Sequence, residues 1–201
     1  MKLIFISGPS GSGKTTLANQ ILVKINNGII LSTDNYYKTG AISKILSKII
    51  KGYFDRRLSF NFKLFKKDIE SIINNGFSNY TRIYDFKKKY LKKKLIKTKN
   101  INYIVIEGIF TKELTRCFFK YECFFLELKT NKNYCKSRVI KRDILERGKA
   151  RKIAAEDFLK SWDIYYAKSR NNFLAKNITK FTISKNADIN QILKEIFNLK
   201  S

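Results

Sequence analysis

Residues 8–15 read Gly-Pro-Ser-Gly-Ser-Gly-Lys-Thr, and that spacing can enclose phosphate. Glycines at 8, 11 and 13 let the backbone curl so that successive N–H groups converge on an anion. Lys14 can reach the β- and γ-phosphates of a nucleoside triphosphate, and the Thr15 hydroxyl can ligate the Mg2+ that accompanies it. Ser10, Ser12 and Thr16 complete the expected nucleotide contacts. Two carboxylates stand where they can serve the same ligand. Asp34 follows the apolar run 28–32, and an acid there can take the proton of an attacking hydroxyl or simply cap a turn. Glu107 closes the run 101–106, where a carboxylate next to a phosphate loop serves Mg2+ directly or through water. Arginine is concentrated in one segment. Arg138, Arg142 and Lys149 would lie within about 40° of one another on a continuous helix, with Arg147 nearby. Such a stripe can close over phosphates and neutralise developing charge, or be a solvated helix face partnered by Asp143 and Glu146.

These residues need a scaffold, and the hydrophobic pattern supplies one. Residues 2–7 read as a buried strand leading into the loop, and Leu17, Ile21, Leu22 and Ile25 mark a helix over 14–26. A second strand covers 28–32. Ile42, Ile45, Leu46 and Ile49 mark an amphipathic helix ended near Gly52, and Phe62, Phe65, Ile69, Ile72 and Ile73 another ended near Gly76. Residues 79–99 read as an exposed β excursion, lysine-rich over 87–99. Strands follow at 101–106, 123–128 and 180–184. Helices are expected at 131–147 and 152–173, joined near Gly148, and at 189–197. Strands alternating with helices imply an α/β fold, a mostly parallel sheet covered on both faces. No repeat or proline-rich linker divides residues 1–201, so one domain is expected.

Composition narrows the function classes. With 44% hydrophobic residues the chain can bury a core. There is no histidine, so acid–base chemistry falls to Asp, Glu, Lys or Tyr. Cys117, Cys123 and Cys135 show neither zinc spacing nor a disulfide framework. The first apolar run is too short for a signal peptide, and no run approaches the ~18 residues of a membrane span. A cytoplasmic protein with reduced thiols and no membrane partner is expected. The net charge of +26 invites a nucleic-acid reading, but the lysines are spread over the whole chain, as compositional bias would spread them. Salt-sensitive adhesion to polyanions is expected, a specific nucleic-acid partner is not.

The chain resembles the uridine kinase and phosphoribulokinase group of P-loop kinases over nearly its full length. The resemblance rests on the loop at 8–16, Ser-Thr-Asp-Asn-Tyr-Tyr-Lys at 32–38, Tyr-Phe-Asp at 53–55, Tyr-Asp-Phe at 84–86, Ile-Glu-Gly-Ile at 106–109 and Lys-Arg-Asp-Ile-Leu-Glu-Arg-Gly-Lys at 141–149. It implies a P-loop NTPase fold with a five-stranded sheet, a substrate-side excursion at 79–99 and a helical lid at 138–152. It implies transfer of the γ-phosphoryl of ATP or GTP, with Mg2+, to the 5′-hydroxyl of a nucleoside such as uridine. Asp34 would match the catalytic base, with Lys14 and Arg142 acting on the transferred group. Tyr37, Asp55 and Tyr84 would line the acceptor pocket, with Asp55 on ribose hydroxyls and Tyr84 on the base. Thr15 and Glu107 would match the metal-associated pair. Arg147 would meet the nucleotide, and Arg138 and Lys149 the acceptor side. Two positions depart from the family. Its nucleoside kinases carry a histidine shortly after the Tyr-Asp-Phe segment, where this chain has Lys87-Lys88-Lys89, and many members have arginine where Val139 stands. A phosphoribulokinase-like or pantothenate kinase-like acceptor therefore stays open, as do a nucleic-acid-associated nucleotide binder and a homo-oligomer.

Overall fold

The computed structural model describes residues 1–25, 27–86, 88–169, 178–184 and 189–197. Five parallel strands form one sheet in the order β2-β5-β1-β6-β7. They are β1 (Lys2–Ser7), β2 (Gly28–Ser32), β5 (Tyr103–Glu107), β6 (Glu122–Leu128) and β7 (Thr179–Ile183). A separate antiparallel hairpin pairs β3 (Ser78–Asp85) with β4 (Tyr90–Thr98). The helices are α1 (Lys14–Lys24), α2 (Ala41–Ile49), α3 (Phe62–Asn75), α4 (Thr111–Leu114), α5 (Lys132–Arg147), α6 (Arg151–Ser169) and α7 (Ile189–Phe197). The expected helix over 152–173 is seen to Ser169; its last residues lie outside the described ones.

The strands read as continuous apolar runs because both faces of the sheet are covered. Side chains alternate along each strand, so odd and even positions feed two cores. Leu3, Phe5, Ile104, Ile106 and Phe125 point to one side and meet Phe65, Ile69 and Ile72 of α3 and Phe110, Leu114 and Phe118. Ile4, Ile6, Val105, Phe124 and Leu126 point to the other and meet Leu17, Ala18 and Ile21 of α1 and Leu193 and Ile196 of α7. A third cluster, Cys135, Val139 and Phe158, joins α5 to α6. α3 is bounded by its own sequence: the Asn61 side chain accepts from the Leu64 N–H, and Gly76 takes the left-handed conformation that ends the helix.

One element differs from its sequence pattern. The apolar stripe of α2 does not face a core: Ile42, Ile45 and Ile49 are exposed, and its buried residue is Ser43, which donates to the Lys38 carbonyl. α2 flanks the cleft rather than the sheet, so it has no second layer to cover those isoleucines. The lysine-rich hairpin is solvent-facing, as expected, and is fastened by a buried acid. Asp68 of α3 accepts from the Arg82 guanidinium, from Tyr36 Oη at 3.0 Å and from Tyr80 Oη at 3.0 Å.

At the end of β5 the chain turns through Gly108 at φ +142°, and a Cβ there would overlap the Thr33 hydroxyl. This close passage sets the Asp34 turn against the Glu107 strand end. Gly108→Ala is expected to destabilise the protein by roughly 2–4 kcal/mol, from strain plus overlap. Urea unfolding measures it, and an unchanged midpoint would show that the two segments do not need this contact.

Candidate functional site

Parallel pairing brings the carboxyl ends of the strands to one edge. Ile6 pairs with Glu107, and Glu107 pairs with Ser32, so the phosphate loop, Asp34 and Glu107 leave the sheet side by side. The cleft they border encloses about 980 Å³.

The loop is a closed turn. Gly11 and Gly13 have φ of +80° and +99°, the Ser12 N–H donates to the Pro9 carbonyl at 3.1 Å, and α1 begins at Lys14. The Lys14 ammonium folds back to donate to the same Pro9 carbonyl at 3.0 Å. Helix α5 presses on the loop so closely that a Cβ on Gly11 would meet the Cys135 carbonyl at 2.6 Å and the Val139 methyl at 3.0 Å. Val139, the departure from the family pattern, is therefore a packing contact beneath the loop. Thr130 Oγ1 donates to the Ser12 carbonyl at 3.1 Å, while Ser12 Oγ is buried without a protein partner. The inward N–H groups and the positive end of α1 suit a phosphate chain.

Two charged groups of the site are shifted from their ordinary ionisation. Burial lowers the Lys14 pKa, with Glu107 and Asp34 pulling it back up. Burial raises that of Glu107, and the like charge of Asp34 raises it further, against Lys14 and hydrogen bonds with Ser32 and Thr15. Glu107 beside the Thr15 hydroxyl forms a pair of oxygen donors that fits Mg2+. Tyr37 donates to Asp34 Oδ1 at 3.2 Å and is itself pushed up by burial and by Asp34 and Asp55.

The cleft continues beyond Asp34 into an aromatic wall. Tyr37 packs edge-on against Phe54, Tyr84 and Phe86 at 5.0, 5.4 and 5.7 Å. Asp55 accepts from Ser161 Oγ of α6 at 2.7 Å. Helix α5 and its turn into α6 supply cations to the same cleft. Arg138 Nη1 donates to the Gly11 carbonyl at 3.3 Å. Arg142, Arg147 and Lys149 all meet Asp143. Arg147 also lies over the Phe86 ring at 4.0 Å.

Of the expected residues, Ser10, Gly11, Gly13, Lys14, Thr15, Thr16, Asp34, Tyr37, Asp55, Glu107, Arg138, Arg142, Arg147 and Lys149 line one cleft. Gly8 and Ser12 support the loop from behind, with Gly8 against Leu128. Tyr84 sits behind the aromatic wall, 5% exposed, its pKa raised by burial to about 12, and Phe86 occupies the surface instead. The continuous cationic stripe is also revised. α5 ends at Arg147, Gly148 turns left-handed at φ +65°, and Lys149 reaches Asp143 by folding back rather than along a helix. Sequence reasoning missed Phe54, Phe86, Ser161 and the role of Asp143. From the lysine run Lys89 reaches the cleft, donating to Ser47 Oγ at 2.5 Å.

A model of the phosphoribulokinase / uridine kinase family matches residues 3–178. A uridine kinase of Borrelia duttonii (strain Ly) is 30% identical over 163 residues, 80% of this chain and 76% of that protein. A uridine kinase of Ureaplasma parvum serovar 3 is 30% identical over 154 residues, 74% of this chain and 72% of that protein. Among solved structures, the D-glycerate 3-kinase of Cryptococcus neoformans var. grubii aligns with a TM-score of 0.64 at 10% identity, over 93% of this chain and 87% of that one. That likeness is one of fold.

Lys14→Met exchanges a desolvated ammonium for an apolar chain of similar shape. Wild type carries the penalty while Lys14 is protonated in both states, and sheds it as pH rises from the lowered folded pKa to the unfolded one near 10.5. The variant should melt a few degrees above wild type at pH 7, with the gap closing in alkali, and should lose on the order of 10³-fold or more in phosphoryl transfer. Calorimetry without nucleotide and an ADP-release assay measure the two effects. Full activity in this variant would remove Lys14 from the chemistry.

Proposed function

Because this chain belongs to the phosphoribulokinase / uridine kinase family, we propose that it transfers the γ-phosphoryl group of ATP or GTP to a hydroxyl of a small molecule, with uridine as the first acceptor. The observation that carries this reading is the convergence of Lys14, Thr15, Asp34 and Glu107 on one edge of the sheet, facing the cations of the α5–α6 turn across a single cleft.

The loop N–H groups and Lys14 hold the triphosphate. Thr15 and Glu107 would hold Mg2+, which would supply charge neutralisation of the phosphates. Tyr37 fixes the Asp34 carboxylate through one oxygen, and Asp34 takes the proton of the acceptor hydroxyl. The new bond joins that oxygen to the γ-phosphorus, the bond to the β-phosphate oxygen breaks, and ADP or GDP leaves. Arg142 and Arg147 meet the charge on the transferring group, while Arg138 and Lys149 border the same space. Asp55, oriented by Ser161, and the aromatic wall receive the body of the acceptor. Catalysis is then mostly positioning and electrostatics.

Uridine comes first because uridine kinases are 30% identical to this chain over about three quarters of its length. A second reading, an acceptor other than a nucleoside, is favoured by one observation: the place after Tyr84-Asp85-Phe86 holds lysines in place of the family's histidine, and Lys89 reaches the cleft. An ADP-release screen over uridine, cytidine, other nucleosides, ribulose 5-phosphate and pantothenate separates the two. ADP release that responds to polynucleotide and to no small molecule would overturn both. With the responding acceptor, Asp34→Asn should lower kcat by on the order of 10²–10⁴ while nucleotide binding survives. An unchanged kcat would exclude Asp34 as the base.

A further inference from the structure

The proposed transfer leaves one buried carboxylate without a task. Asp143 is 2% exposed, on a helix dominated by basic residues. Three cations converge on it. Arg142 donates through both Nε at 3.1 Å and Nη2 at 2.9 Å to the same oxygen. Arg147 Nη1 lies 3.4 Å from that oxygen, and Lys149 Nζ donates to the other at 3.1 Å. Lys149 also donates to Asp157 of α6 at 2.9 Å, and its backbone N–H to the Asp143 carbonyl at 3.1 Å. Burial disfavours the Asp143 carboxylate, but Arg147 and Arg142 outweigh it and hold the group below the usual range. It is thus ionised and engaged, which excludes it as acceptor of the hydroxyl proton.

Two carboxylates, Asp143 and Asp157, cannot neutralise three cations. The cluster keeps a net positive charge, and all three heads border the cleft. Long basic side chains in water sample many rotamers, whereas a shared buried anchor fixes their heads before any phosphate arrives. We propose that Asp143 is a positioning residue for phosphoryl transfer, holding Arg142, Arg147 and Lys149 where charge develops on the moving group. Preorganised cations of this kind act mainly on the transition state. The inference rests on the kinase reading above.

Asp143→Asn keeps the shape and removes the charge. With the acceptor found active, kcat should fall about 10- to 100-fold while the Kd of a non-hydrolysable ATP analogue changes less than about 3-fold. Arg142→Ala and the double variant complete a cycle. If Asp143 acts through Arg142, it should slow the Arg142→Ala enzyme by a clearly smaller factor than it slows wild type. An unchanged kcat, multiplicative losses, or an affinity loss as large as the kcat loss would each overturn the proposal. If Asp143→Asn does not fold, Asp143→Glu and Asp143→Gln give a size-matched pair. The charged variant should be at least about 5-fold faster, and equal rates would overturn the proposal. Failure of wild type to release ADP with every acceptor would instead defeat the kinase reading itself.

Discussion

Everything at the site depends on the register of three parallel strands. β1 lies between β5 and β6, with Ile6 opposite Glu107 and Ser7 opposite Glu127. β2 joins the far side of β5 with Ser32 opposite Glu107. A slip of one residue in β5 would send Glu107 to the opposite face and bury it in a hydrocarbon core. The register is defended by alternation: Ile104 and Ile106 pack on one side and Val105 on the other, each fully buried. The apolar layers that hold the fold together are thus also what aligns the acids.

The scaffold and the site impose opposite demands. Packing is tight where backbone meets backbone, as at Gly11 against α5 and Gly108 against Thr33. Charge is strained where the ligand belongs, with Lys14 shifted towards neutrality and Glu107 towards protonation. Tight packing makes that strain durable, since a looser loop would relax by admitting water to both groups. On the kinase reading proposed above, a triphosphate would add negative charge beside Lys14 and its cation positive charge beside Glu107, favouring the ionised form of each.

Much of this was legible in the sequence. Strand positions followed from runs that only a doubly covered sheet can bury, and the loop from glycine spacing. Asp34 and Glu107 followed from the rule that ligands gather at strand carboxyl ends. What stayed hidden was set by tertiary contacts. An acid among basic residues at 138–149 reads as a solvated partner, and only the packing of α6 on α5 makes Asp143 buried. The isoleucines of α2 read as a core face, yet among the described residues no layer covers them. Tyr84 and Phe86 stand two residues apart with their rings 5.1 Å from each other, and pattern alone could not tell which one reaches the surface of the cleft. Whether helix α5 passed through Gly148 was a backbone matter, and its left-handed turn is what folds Lys149 back.

The stacking of Arg147 on Phe86 gives the two halves of the cleft a common wall. In the proposed reaction Arg147 would belong to the segment facing the phosphates, and Phe86 to the hairpin side where the acceptor would lie. Asp143 holds the Arg147 guanidinium while it lies over the ring, so a molecule seated on the ring must share the ring with it. Thermodynamic linkage makes that exchange reciprocal: whatever one ligand does to the affinity of the other, the second returns in equal measure. On the kinase reading, the two binding steps would belong to a single thermodynamic cycle that runs through one cation on one aromatic face.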